Sequence, residues 1–188
     1  MKKLILITVC CLLYSAVESQ TYIPEITNNT ELQYICKLYG QTRPVNLRPK
    51  FVSDTLIIDW DLRSTVRKYA ILPEALENGT GLTFNQGESP DLLVLEPTDT
   101  FFMISKAAFK DLVSNNKFIY NNTTYNLDKT KVANEVVIDD KIVNVLFVKA
   151  EIDETEMWIL NNPNFPLICK ISKNPLGVNC TLTEILER

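Results

Sequence analysis

The run from residue 141 to 185, KIVNVLFVKAEIDETEMWILNNPNFPLICKISKNPLGVNCTLTEI, constrains the fold more than any other stretch of the chain. Strand-like segments rich in Val, Ile, Leu, Trp and Thr follow one another at 143–152, at 156–160 with 166–171, and at 178–185. The breaks between them, Asn161-Asn162-Pro163-Asn164 and Ser172-Lys173-Asn174-Pro175-Leu176-Gly177, consist largely of residues that pre-set or tolerate turn dihedrals. Such punctuation between β-formers predicts an antiparallel meander.

The opposite end has a different character. Met1-Lys2-Lys3, the apolar run 4–17 and the small and polar residues after it have the layout of a secretory signal over residues 1–19, with Val17-Glu18-Ser19 as the cleavage site and Ala16 as a competing one. Cys10 and Cys11 within the run keep a lipoprotein leader as the alternative. The run is too short to span a bilayer, so no transmembrane segment is expected once the leader is removed, and the protein is expected in the periplasm, at the cell surface or secreted. Residues 20–188 then hold 17 basic against 22 acidic side chains, a balance that favours solubility and argues against nucleic acid as a partner.

Residues 20–53 read as an irregular N-terminal segment, because TYIPEITNNT is polar and Pro-broken and 41–49 carries two prolines. An antiparallel β domain is expected from 54 to 188. It opens with DTLIIDWDL at 54–62, where alternation puts Leu56, Ile58, Trp60 and Leu62 on a core face and Thr55, Ile57, Asp59 and Asp61 on the other. Pro73-Glu74-Ala75-Leu76-Glu77 before Asn78-Gly79 predicts one helical turn. The main helix is expected over 105–115, capped by Ser105, with a stripe of Ala108, Phe109, Leu112 and Val113. Asn121-Asn122 and Asp139-Asp140 each mark a hairpin. The fold class is therefore α+β and β-dominated: a curved antiparallel sheet, a meander of hairpins, with one main helix packed on it.

Several chemistries are excluded by composition. With no histidine in the chain, Ser-His-Asp and Cys-His catalysis and histidine-containing zinc sites are absent in their usual forms. Five glycines and no Walker or dinucleotide fingerprint leave little material for a phosphate cradle, and neither a cofactor nor a metal is expected. After the leader, Cys36, Cys169 and Cys180 remain. Folding PLICKI against VNCTLTEI around Asn174-Pro175 would bring Cys169 opposite Cys180 as a disulfide; three buried reduced thiols are the alternative.

Asp59 and Asp61 are close enough along one strand face to serve as a carboxylate pair, and a solvent-facing pair is the plainer reading. Arg43, Arg48, Lys50, Arg63, Arg67 and Lys68 outnumber the neighbouring acids and could meet an anionic ligand or partner, or simply line a charged outer face. Aromatic side chains supply the candidate binding site: Trp60, Phe101, Phe109 and Tyr120 in an apolar cleft between sheet and helix, with Arg63 and Arg67 at its rim. Trp158 and Phe165 are assigned to core packing. Asn-x-Thr sequons begin at Asn28, Asn78, Asn121, Asn122 and Asn179.

The segments EALENGTGLTF, DTFFMISKAAFKDL, FIYNNTTYNL and above all EMWILNNPNFPLICKISKNPLGVNCTLTEI resemble a family of uncharacterised exported proteins of gut-type Gram-negative bacteria. The strand with Trp158, the Asn/Pro turn, the Phe-Pro-Leu strand and the closing Thr-Leu-Thr strand are also similar to the tail of periplasmic lipoprotein-carrier folds, which hold an acyl chain between a curved sheet and helices. The expected function is a non-enzymatic exported binding or carrier protein for an apolar or anionic small ligand. A structural or interaction module that meets an envelope protein is the alternative, and a hydrolase using Asp59 and Asp61 the third.

Overall fold

The computed structural model describes residues 21–62, 65–84, 91–130 and 136–188. The expected leader, residues 1–19, lies outside them, as does Arg63. In chain order the elements are β1 (Thr30–Leu38), β2 (Gln41–Val52), β3 (Thr55–Leu62), β4 (Thr65–Ile71), α1 (Pro73–Asn78), β5 (Gly81–Leu82), β6 (Leu92–Val94), β7 (Asp99–Thr100), α2 (Lys106–Asn115), β8 (Lys117–Tyr120), β9 (Thr123–Leu127), β10 (Val137–Ile138), β11 (Lys141–Ile142), β12 (Val145–Ala150), β13 (Glu156–Leu160), β14 (Ile168–Ser172) and β15 (Val178–Glu187). Eleven strands form one open sheet in the order β6-β4-β3-β2-β1-β15-β14-β13-β12-β9-β8, antiparallel throughout except for the parallel β4–β6 pair. The β-dominated antiparallel class expected from the sequence is the one observed.

The sheet consists of two meanders joined edge to edge. Strands β1–β4 follow one another in space, as do β12–β15, and the seam between the halves is the pairing of β1 with β15 from Thr30↔Glu187 to Leu38↔Val178, with a bulge between Gln33 and Tyr34. Cys36 stands directly opposite Cys180 in this ladder, with Cα atoms 4.1 Å apart, and the two form a disulfide. The expected Cys169–Cys180 bridge is therefore corrected. The β14–β15 register puts Ile171 opposite Cys180, and Cys169 is a free, buried thiol that burial pushes up to about 12.

A second correction concerns residues 20–53, most of which is regular sheet in place of an irregular segment. Pro44 and Pro49 both lie inside β2, where a missing N–H would ordinarily interrupt a ladder. Hydrogen bonding alternates along β2, so each N–H serves only one neighbour. The two-residue Tyr39-Gly40 turn directs the Pro44 nitrogen toward β3, whose ladder with β2 reaches Asn46↔Asp61 among the described residues. The Ser53-Asp54 turn directs the Pro49 nitrogen toward β1, whose ladder with β2 stops at Leu32↔Leu47. Each proline thus falls beyond the last pair of the adjacent ladder among the described residues.

The central segment fills one face of the sheet. Leu56, Ile58 and Trp60 point inward and are buried, as their alternation predicts, and residues 101–104 cross that face as a fully buried stretch. Phe102 packs at a tilt against Tyr34 of β1 with ring centroids 4.7 Å apart, and its carbonyl accepts from Ile168 N at 2.8 Å. Helix α2 begins with Ser105 Oγ accepting from Ala108 N at 3.2 Å and ends at Asn116 in the left-handed region. It buries Ala108, Phe109 and Leu112, but Val113, expected in the same stripe, is exposed. Asn121-Asn122 and Asp139-Asp140 adopt positive φ throughout, as the two hairpin turns require.

Because the bridge closes a loop of 144 residues, its replacement in Cys36→Ala/Cys180→Ala is expected to lower unfolding free energy, with an upper limit of about 5 kcal/mol from loop closure alone. Denaturant unfolding measures this, and non-reducing peptide mapping should link the Cys36 and Cys180 peptides while leaving Cys169 alkylatable after unfolding.

Candidate functional site

Trp60, Phe101 and Arg67 come together on the inner face. Trp60 meets Tyr69 at 5.3 Å and Phe101 at 5.5 Å, and the Arg67 guanidinium lies 5.7 Å from the indole centroid. These rings pack against one another and against Phe84 and Phe102. The space left beside them, walled by Cys36, Leu38, Val45, Phe84, Phe102 and Cys180, amounts to about 20 Å3. A volume of that size is comparable with one water and is far below a small-molecule site.

Tyr120 is fully buried and its hydroxyl belongs to an internal relay. Ser105 N–H donates to Tyr120 Oη at 3.2 Å, Tyr120 Oη lies 2.7 Å from Thr100 Oγ1, and Thr100 donates to Met103 O at 2.6 Å. The relay fixes the loop before α2 onto β8. Phe109, on the buried side of α2, packs into the core. The sequence-predicted aromatic set is thus gathered around the inner face and is engaged in packing.

A more open cleft lies nearby, between the β2–β3 turn, α1 and the turn before β14. Phe51, Ser53, Asp54, Leu56, Pro73, Leu76, Glu77, Met103, Lys106, Asn164 and Phe165 enclose about 360 Å3. Leu56 and Met103 are buried apolar walls, and Phe51, 41 % exposed, lies edge-on to Phe165 at 5.9 Å. The polar groups are Ser53, Asp54, Asn164 and the Glu77–Lys106 ion pair at 3.3 Å. Phe165 is buried in the core, as the sequence led us to expect, and forms part of the cleft wall, whereas Phe51, Leu76 and Met103 were not singled out as binding residues. Four stretches far apart in the chain build this cleft, and the exposed aromatic at the end of β2 was its only local signal.

Asp59 and Asp61 project from the opposite, outer face. Asp59 Oδ2 accepts from Lys50 Nζ at 2.6 Å, and Asp61 Oδ2 accepts from Arg48 Nη2 at 2.8 Å. Arg48 also reaches Glu31, only 2 % exposed, at 3.0 Å, and Arg188 pairs with the same carboxylate. Hydrogen bonds and charge from Asp61 and Glu31 outweigh desolvation and raise the Arg48 pKa. The acidic group further along the chain is also engaged: Glu151 accepts from Asn126, Asp153 caps Thr155 N, and Glu156 pairs with Lys173.

No family model, curated protein or solved structure matches the chain.

Replacing Arg48 with Ala should cost about 1–3 kcal/mol, since Asp61 loses the guanidinium it pairs with and Glu31 is left with Arg188 and the Gln33 amide; chemical denaturation measures the loss. Burial also raises the Tyr120 hydroxyl from 10.0 to about 12, and Tyr125 likewise. Because the native state holds these protons more tightly than the unfolded chain, their stabilisation is complete below the unfolded value and is lost as pH rises through the folded one. Denaturation midpoints should therefore fall between pH 10 and about 12, and a flat profile over that window would contradict the assignment.

Proposed function

We propose that the protein is an exported, non-enzymatic binding protein that takes a small, mainly apolar ligand into the cleft between the sheet and α1. The observation that carries this reading is the 360 Å3 cleft itself, with Leu56 and Met103 as walls and the Phe51–Phe165 aromatic pair beside it. Its size and composition suit a ligand cavity, in which apolar walls bind and a few polar groups orient. Lys106, paired with Glu77, can receive a carboxylate, sulfonate or phosphate, so the ligand class extends to apolar molecules with one anionic group. Export is supported by the signal-like layout of residues 1–19 and by the Cys36–Cys180 disulfide, which suits an oxidising compartment. The paired aspartates on the far face favour binding over carboxylate catalysis, since both contribute to cross-strand ion pairs away from the cleft.

Anilinonaphthalene sulfonate, an apolar probe with one anionic group, tests the site by fluorescence titration. The full chain should bind it saturably at one site, Phe51→Ala should weaken binding about tenfold, and Leu76→Trp should block it by filling the cleft. Unchanged binding in both folded variants would place the probe elsewhere and remove the proposal.

A further inference from the structure

Strand β8 ends the eleven-stranded sheet, and its geometry is that of an edge prepared for another strand. The two-residue Asn121-Asn122 turn makes Tyr120–Thr123 and Phe118–Tyr125 the hydrogen-bonded pairs of the β8–β9 hairpin. The bond from Leu127 N to Asn116 O at 2.8 Å continues the same alternation. The N–H and C=O groups of Lys117 and Ile119 consequently point away from β9, and among the described residues no strand pairs with that side. Alongside it lies a groove of about 310 Å3 walled by Ala107, Ala108 and Asp111 of α2 and by Asn78, Gly79 and Thr80. Thr80 closes one end by accepting from Asn121 N at 2.8 Å.

Of the usual defences of an edge strand, β8 has its four-residue length and Lys117 but neither a bulge nor a proline. Ile119 is 64 % exposed. The opposite edge of the sheet, β6, is only three residues long and is held by parallel pairing. We infer that β8 pairs antiparallel with β8 of a second copy of this chain, extending the sheet across a two-fold axis.

Self-complementarity selects this occupant. An antiparallel β8–β8 pair centred on Phe118 places Lys117 opposite Ile119 of the other copy, so both outward-facing residues find their backbone partners. It also keeps the two Lys117 side chains from facing each other. Such an interface uses the same patch on both copies and closes at two, whereas pairing β8 with β6 would leave free edges and propagate. The ligand cleft at Phe51 and Phe165 takes no part in it.

Sedimentation and light scattering of the full folded chain, from about 1 to about 500 µM, test the inference. The mass should rise from one chain to two and no further. Ile119→Pro removes an N–H that the β8–β9 ladder does not use, so it should remain folded by circular dichroism and stay monomeric. A register test stands independently: mixed Lys117→Cys and Ile119→Cys chains should form an intermolecular disulfide under mild oxidation, because opposed residues are within bridging distance. Either variant alone should not, since in this register like residues lie about 8 Å apart. Monomeric mass throughout, a dimer that survives Ile119→Pro, or the absence of a link in the mixed sample would each overturn the inference.

Discussion

The fold depends on the pairing of β1 with β15. Each meander on its own satisfies its backbone through neighbours close in sequence, but without the seam each would end in a bare edge, and one continuous hydrophobic core would be two half-cores. The ladder from Thr30↔Glu187 to Leu38↔Val178 removes both edges at once, and the Cys36–Cys180 bond fastens it near one end. Tyr34 reinforces it from the inner face, donating from its hydroxyl to Ile168 O at 2.9 Å and packing its ring against Phe102. Seam, inner loop and β14 are thereby fixed to one another.

The two faces of the N-terminal half are specialised in opposite ways. Inward, β1–β4 present Leu32, Tyr34, Leu47, Leu56, Trp60 and Tyr69 to the loop before α2, and this surface is closely packed. Outward, Glu31, Arg48, Asp61, Lys50 and Asp59 form a cross-strand ladder of ion pairs. A carboxylate as buried as Glu31 is costly unless matched, and two arginines share the task. The Asp59-x-Asp61 spacing is therefore a consequence of strand alternation opposite Arg48 and Lys50.

What was legible in the sequence was whatever depends on neighbours along the chain. Alternation in 54–62 identified the core face of β3, Ser105 marked the start of α2, Pro73 began α1, and paired Asn or Asp residues marked hairpins. Long-range facts were hidden. Pro44 and Pro49 suggested an irregular segment because their tolerance depends on where β1 and β3 stop. Cys36 could not be matched to Cys180 without the register of strands 144 residues apart, whereas Cys169 lay invitingly near. The cleft was equally obscure, since Phe51, Leu76, Met103 and Phe165 become neighbours only when α1, the inner loop and the turn before β14 are in place.

The position of the seam also sets an order of events. Strand β1 emerges from synthesis long before β15, so the N-terminal meander must wait with one side unpaired until β15 has been delivered. Contacts of this sequence separation close late and slowly. The interval exposes a strand whose alternate residues, Leu32, Tyr34, Cys36 and Leu38, are all destined for burial and one of which carries a thiol. Strand β1 therefore meets β15 only after the other strands of the eleven-stranded sheet have been made.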